Sequence, residues 1–132
     1  ETLKEMSKKD GFDIYGVDIN KDLIDKLKNK GHNAGTGYLK SDVYVICVYS
    51  TEQVIDVIKR LDKTNYPLIV IESTTKPGTY EKLLSNKYDL ILFPHRFNPN
   101  DPEHHIFNLD RVMGGNEKAI KGQRSFMTIS WI

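Results

Sequence analysis

Three observations predict an α/β fold with a doubly wound parallel sheet. Apolar runs rich in β-branched residues recur at 42–48, 68–73 and 88–93. Stretches with helical spacing of apolar residues lie between them. The connections are short, as in successive strand–helix–strand units. Right-handed crossovers then put helices on both faces of the sheet, making three layers. A chain of 132 residues suffices for one domain around one core.

The elements follow in order. Residues 1–10 read as the end of a helix, with Leu3 and Met6 on one face, and Gly11 as its C-cap. "FDIYGVD" (12–18) reads as a strand. Asn20-Lys21-Asp22 opens a helix with apolar Leu23, Ile24 and Leu27, and Gly31 ends it. "DVYVICV" (42–48) is nearly continuous in apolar residues, as expected of a strand buried on both faces. "TEQVIDVIKRL" (51–61) is an amphipathic helix with Val54, Ile55, Ile58 and Leu61 inward. "LIVIES" (68–73) is a second buried strand, 79–85 a short helix and "YDLILF" (88–93) another strand. Pro99 and Pro102 keep "FNPNDPEHH" irregular. "RVMGG" (111–115) reads as a short last strand.

Composition excludes several classes. A net charge of +1 argues against a nucleic-acid partner. The single cysteine, Cys47, forms no internal disulfide and fits a reducing cytoplasm. Its place within an apolar strand predicts an inert packing residue. No apolar run approaches the roughly 18 residues of a membrane span, and no secretory signal is visible. A first residue of Glu1 rather than Met suggests a stretch of a longer chain.

The chemistry concentrates at strand ends. Asp18 closes the first visible strand. In dinucleotide-binding folds a carboxylate there accepts hydrogen bonds from a ribose diol, and it repels a 2′-phosphate. A helix N-cap or a solvated aspartate is the competing reading. "GTG" at 35–37 precedes a strand, whereas a phosphate-binding GxGxxG must follow one, so it reads as a turn. Ser50-Thr51 either caps the next helix or meets a ligand; Glu52 and Gln53 open a helix, so Thr51 is expected as its cap, and the two roles are compatible. Ser73-Thr74 stands at the equivalent end of the next strand, before the Pro77-Gly78 turn. Two hydroxyl pairs at neighbouring strand ends point to a shared ligand edge. His95, Arg96, His104 and His105 follow the next strand. Their spacing matches no closed zinc site, so no metal is expected, and His95 and Arg96 are the better ligand-edge candidates.

Together these segments resemble the NAD-binding domain of the UDP-glucose/GDP-mannose dehydrogenase family, which includes UDP-N-acetylmannosamine dehydrogenases. The resemblance runs from about residue 1 to about residue 118. "GFDIYGVDIN" is similar to the strand carrying the ribose-binding acid. "SDVYVICVYST" is similar to a strand ending in Val-Pro-Thr-Pro. "IESTTKPGT" is close to Glu-Ser-Thr-x-x-Pro-Gly-Thr and is the most specific match. "PHRFNPNDPEHHIFNLDRVMGG" resembles Pro-Glu-Arg-x-x-Pro-Gly followed by Val-x-Gly-Gly. The resemblance implies a Rossmann-type doubly wound sheet and a two-step oxidation of a UDP-sugar primary alcohol to the acid, with NAD as the oxidant. Asp18 would hold the ribose, and Ser50, Thr51 and Ser73 would lie near the cofactor. Glu72 and Thr74 would line the nicotinamide side, with Thr74 positioning water or substrate. The catalytic expectation therefore rests on Thr74 and His95.

The departures from the family pattern matter equally. His95 replaces the glutamate of Pro-Glu-Arg; a neutral imidazole can act as a base near pH 7 but does not supply the same negative charge. Tyr49 and Thr51 replace the prolines of Val-Pro-Thr-Pro, Asn100 replaces the glycine of Pro-Gly, and Leu23 stands where a basic residue is common. The family's thioester-forming cysteine and its catalytic lysine and asparagine belong to later domains, so this stretch alone is not expected to complete the oxidation. A UDP-sugar partner would need those domains, and a homodimer stays open. A non-catalytic nucleotide-binding module is the alternative.

The first strand and glycine-rich turn of such a fold should precede Glu1. Without that strand the sheet has a gap at its centre, and each buried unpaired backbone group there costs about 1–3 kcal/mol. The tail, "FMTISWI" (126–132), has the pattern of such a first strand. It is expected either to fill the central slot or to lie as an edge strand or an unrelated tail. On this reading 1–118 form the NAD-binding domain and 119–132 the tail.

Overall fold

The computed structural model describes residues 11–94, 100, 101, 103, 112–121 and 128–132. Its strands are β1 (Asp13–Val17), β2 (Ala34–Gly35), β3 (Val43–Ile46), β4 (Leu68–Ile71), β5 (Asp89–Leu92), β6 (Gly114–Gly115) and β7 (Thr128–Trp131). Its helices are α1 (Lys21–Asn29), α2 (Thr51–Arg60), α3 (Thr79–Leu83) and α4 (Glu117–Lys121).

One sheet contains all seven strands in the order β2-β1-β7-β3-β4-β5-β6. Every neighbouring pair is parallel except β5–β6. Up to β5, this is the 3-2-1-4-5-6 order of the Rossmann fold, with β7 in the central slot and β6 added as an antiparallel edge. The tail strand therefore closes the gap. It pairs with β1 from Asp13↔Thr128 to Gly16↔Trp131, and with β3 from Val43↔Ile129 to Val45↔Trp131. Beyond the strand, Ile132 N–H donates to Val45 O at 2.8 Å and Cys47 N–H donates to Ile132 O at 2.7 Å. The buried Ser130 hydroxyl lies 2.6 Å from that of Ser41, tying β7 to the segment that crosses from β2 to β3.

Alternation along the strands divides the core between two faces. Tyr44 and Ile46 of β3 join Ile69, Ile71 and Leu90 under Val54, Val57 and Ile58 of α2 and Leu83 of α3. Val43 and Val45 point the other way, with Ile14, Leu68, Ile91 and Ala119 of α4. Both faces of β3 are buried, which is why its sequence reads as an unbroken apolar run.

Local signals set the helix ends. Asn20 caps α1 by accepting from the N–H groups of Asp22 and Leu23. At the other end Gly31, at φ +83°, closes a Schellman motif: Gly31 N–H reaches Lys28 O and His32 N–H reaches Leu27 O. Ser50 caps α2 in a capping box with Gln53. Gly78, at φ +80°, precedes α3 in the left-handed region.

Several expectations need correction. Leu23 is largely exposed, because the inward stripe of α1 is carried by Ile24 and the half-buried Leu27. In α2 the buried set includes Val57, while Ile55 sits at the margin of the stripe. That is the i, i+3, i+4, i+7 pattern of 54, 57, 58 and 61. Gly35 belongs to β2 rather than to a turn, and only Thr36 and Gly37 bend away. The strands are also shorter than their apolar runs, and β3 stops at Ile46. Cys47 consequently lies past the strand and is exposed, not packed in the core.

Candidate functional site

The sheet changes winding direction between β7 and β3. From β7 the order runs through β1 to β2, and from β3 it runs the other way through β4 to β5. In open α/β sheets the carboxyl ends of strands beside such a reversal form the ligand crevice, because the loops there diverge. Asp18 after β1, residues 47–51 after β3 and residues 72–76 after β4 all lie at this edge.

Asp18 is half-buried, and its Oδ1 accepts the Asn20 N–H at 2.8 Å. Its backbone N–H donates to Gly35 O at 3.3 Å, which orients the residue from β2. Asn20, not Asp18, caps the following helix. A carboxylate offers about four acceptor positions, so capacity remains for a diol.

Ser50, not the expected Thr51, is the N-cap of α2: its hydroxyl accepts from Gln53 N–H at 3.1 Å, and Thr51 is the first helical residue. Gln53 Oε1 in return takes the N–H groups of Tyr49 and Ser50 at 3.0 and 3.1 Å. The loop after β3 is thereby rigid, and the positive end of the helix dipole stands at the crevice. Thr51 is buried, and its Oγ1 accepts Lys76 N–H at 3.0 Å, which joins the start of α2 to the loop after β4. A Glu52–Lys76 ion pair reinforces this junction on the surface. The hydrogen bond from the Lys76 ammonium is the main cause that holds the Glu52 carboxyl below the usual glutamate range.

Ser73 is buried, and its Oγ accepts Val48 N–H at 2.8 Å and donates to Ile46 O at 3.4 Å. It thus locks the two loops together. Glu72 is only 5% exposed, and its Oε2 accepts from Cys47 Sγ at 3.0 Å. Thr74 is exposed, one residue beyond this clasp. The structure therefore gathers Asp18, Ser50, Thr51, Glu72, Ser73 and Thr74 at one sheet edge. His95 and Arg96 lie outside the described residues, as do His104 and His105. Among the described residues no group of three or more His, Cys, Asp or Glu is placed to hold a metal.

Sequence reasoning missed the Cys47–Glu72 contact and the Thr51–Lys76 bond, since each joins positions 25 apart. The Gln53 arm of the capping box was readable as Ser-x-x-Gln. A cleft of about 370 Å³ opens elsewhere, around Asp13, Tyr15, Lys28, His32, Leu39 and Ser41. It lies toward the amino ends of the strands and holds none of the predicted site residues. The winding reversal, not cavity size, therefore locates the candidate site.

Comparison with known proteins supports the nucleotide-sugar dehydrogenase family. The chain is 32% identical to a UDP-N-acetyl-D-mannosamine dehydrogenase of Methanocaldococcus jannaschii, over 83% of this chain and 35% of that protein. It is 26% identical to the enzymes of that name from Methanococcus vannielii and Methanococcus maripaludis, over 82% of this chain and 34% of each. The chain thus spans about a third of the length of the curated relatives it matches. No family model matches it, and no solved structure matches it significantly. No described helix is long and apolar enough to cross a membrane.

Proposed function

We propose that the carboxyl edge of β1, β7, β3 and β4 binds NAD, and that the chain is the NAD-binding portion of a nucleotide-sugar dehydrogenase that oxidises a UDP-sugar primary alcohol to the uronic acid. The observation that carries this reading is Asp18 at the end of the strand next to the central one, beside the winding reversal. The donor set fits an adenosine ribose: a half-buried carboxylate, oriented from Asn20 and Gly35, retains acceptor positions for a vicinal diol. The positive end of α2 suits the pyrophosphate. Bound NAD would supply the hydride acceptor. The chain's own residues would bind and orient: Asp18 the ribose, the capped start of α2 the phosphates, and Thr74 a water or substrate hydroxyl. Ser73 and Thr51 hold the two loops at a fixed separation. The carboxylate also disfavours a 2′-phosphate, so NAD should bind better than NADP.

Calorimetric titration of NAD tests the reading. Asp18→Asn should weaken binding by about 1–2 kcal/mol, because a charged acceptor is replaced by a neutral one. Unchanged affinity removes Asp18 from the site. A non-catalytic nucleotide-binding module is favoured by one observation, His95 in place of the family's glutamate. NAD reduction with a UDP-sugar, in a chain carrying the remaining domains, separates the two.

A further inference from the structure

We propose that the cleft at the amino edge of the sheet is a second ligand site, which holds a small zwitterion between the Asp13 carboxylate and the Lys28 and His32 side chains. The cleft has a volume of about 370 Å³, at the small end of the roughly 300–1,000 Å³ usual for ligand pockets. Pairing across the sheet explains why it opens there. Tyr15, Ser130, Tyr44, Ile69 and Leu90 stand side by side on one face. Tyr44, Ile69 and Leu90 are core residues under α2 and α3. A parallel connection commonly carries a helix that covers such a face, but residues 36–42, which join β2 to β3, contain none. A bare strap lies there instead: the Ser41 hydroxyl is 2.6 Å from that of Ser130, and Ser41 N–H donates to Tyr44 Oη at 3.1 Å. The row therefore ends at Tyr15 in an open cleft, with Leu39 and Ser41 of the strap in its lining.

The lining carries opposite charges that do not meet each other. Among the described residues, the side chains of Asp13, Tyr15, Lys28 and His32 make no hydrogen bond or ion pair. Their backbone, in contrast, is held. Gly31 N–H to Lys28 O and His32 N–H to Leu27 O keep Lys28 and His32 at the same end of α1. Gly16 N–H to Asn33 O, at 2.9 Å, ties that end to β1, which carries Asp13 and Tyr15 on one face. A simple anion would meet Lys28 but also the like charge of Asp13, and a simple cation would meet Asp13 but also Lys28. A molecule with an ammonium at one end and a carboxylate or phosphate at the other satisfies both. The ring of Tyr15 and the side chain of Leu39 offer apolar surface to the short carbon chain between them. Gly35 gives the Tyr15 phenol its place, since a Cβ there would collide with Tyr15 Oη. None of these residues belongs to the proposed NAD edge, so the two sites stand or fall separately.

The test is NMR titration of the full chain with glycine, β-alanine, γ-aminobutyrate, ε-aminocaproate and phosphoethanolamine in turn. The series varies the spacing of the two charges, and phosphoethanolamine separates a phosphate from a carboxylate. At least one member should shift the His32 ring and Leu39 methyl resonances saturably. For that ligand, Asp13→Asn and Lys28→Gln should each weaken binding by about three- to tenfold, as expected for a charge-assisted hydrogen bond at a partly exposed site. Both positions are exposed, and unchanged circular dichroism checks that each variant is folded. The same ligand without its amine should bind the wild type more weakly and should gain, not lose, affinity from Asp13→Asn. Resonances of His32 and Leu39 unmoved by every member at up to about 10 mM, ten times the Kd of a millimolar ligand, overturn the proposal. Binding that either variant leaves unchanged overturns it equally.

Discussion

Replacing the buried hydroxyl pair Ser41–Ser130 tests the feature on which the fold turns, the placement of β7 between β1 and β3. The two oxygens are 2.6 Å apart although the residues are 89 positions apart in sequence. Ser41 Oγ also lies 3.3 Å from Leu39 O, a second acceptor within its reach. A buried hydrogen bond contributes about 0.5–1.5 kcal/mol net. Ser130→Ala should therefore cost about 1 kcal/mol, and Ser41→Ala about 1–2 kcal/mol because it also releases Leu39 O. The double variant should fall short of the sum by about 1 kcal/mol, since the shared bond is lost only once. With an unfolding entropy near 2.1 cal/mol/K per residue, each kcal/mol lowers Tm by about 4 °C in a chain of 132 residues. Urea unfolding of the four proteins measures the coupling. Additivity within about 0.3 kcal/mol would falsify the contact, and with it the central position of β7.

Two other perturbations probe the core. Tyr44 Oη accepts Ser41 N–H and donates to Asp62 O, both at 3.1 Å, so Tyr44→Phe should cost about 1–3 kcal/mol by leaving both partners unmatched. Burial is the main cause that raises the Tyr44 phenol above its usual value of 10.0, so the native state holds this proton more tightly than the unfolded chain. That stability is complete below pH 10 or so and is lost as pH rises through the folded value, so Tyr44→Phe should show a shallower alkaline decline in Tm. Tyr88 is raised by burial in the same sense and should retain part of the slope. Ile69→Ala, in the fully buried cluster under α2 and α3, should cost about 2–5 kcal/mol by guanidinium unfolding. A loss below about 1 kcal/mol would mean that this face is not close-packed.

Much of the candidate site was legible because strand-end chemistry is local. The apolar runs at 42–48 and 68–71, and the acid, hydroxyl and turn residues just beyond, can be read without knowing what each strand touches. The opposing cases depend on partners far away in sequence. Cys47 continues an apolar run and reads as core, yet β3 stops one residue earlier and the exposed thiol meets the buried Glu72. Ser73 reads as one of a ligand-facing pair, but its hydroxyl bridges to Val48 N–H across to the neighbouring strand end. β2 is two residues long, too short to display a period of two, and exists because β1 offers it an edge.

The sequence by itself determined the alternation of strands and helices, the cap of α1, and the grouping of Asp18, Ser50 and Thr74 at strand ends. These follow from periodicity and from side chains bonding to their own neighbouring backbone, which act over a few residues. Only the tertiary structure decided that "TISW" enters the centre of the sheet rather than its edge. A strand's hydrogen-bonding groups are identical along its length and carry no address. Its slot is set by which unpaired edges remain, here those of β1 and β3, and by the single buried fit of Ser130 against Ser41.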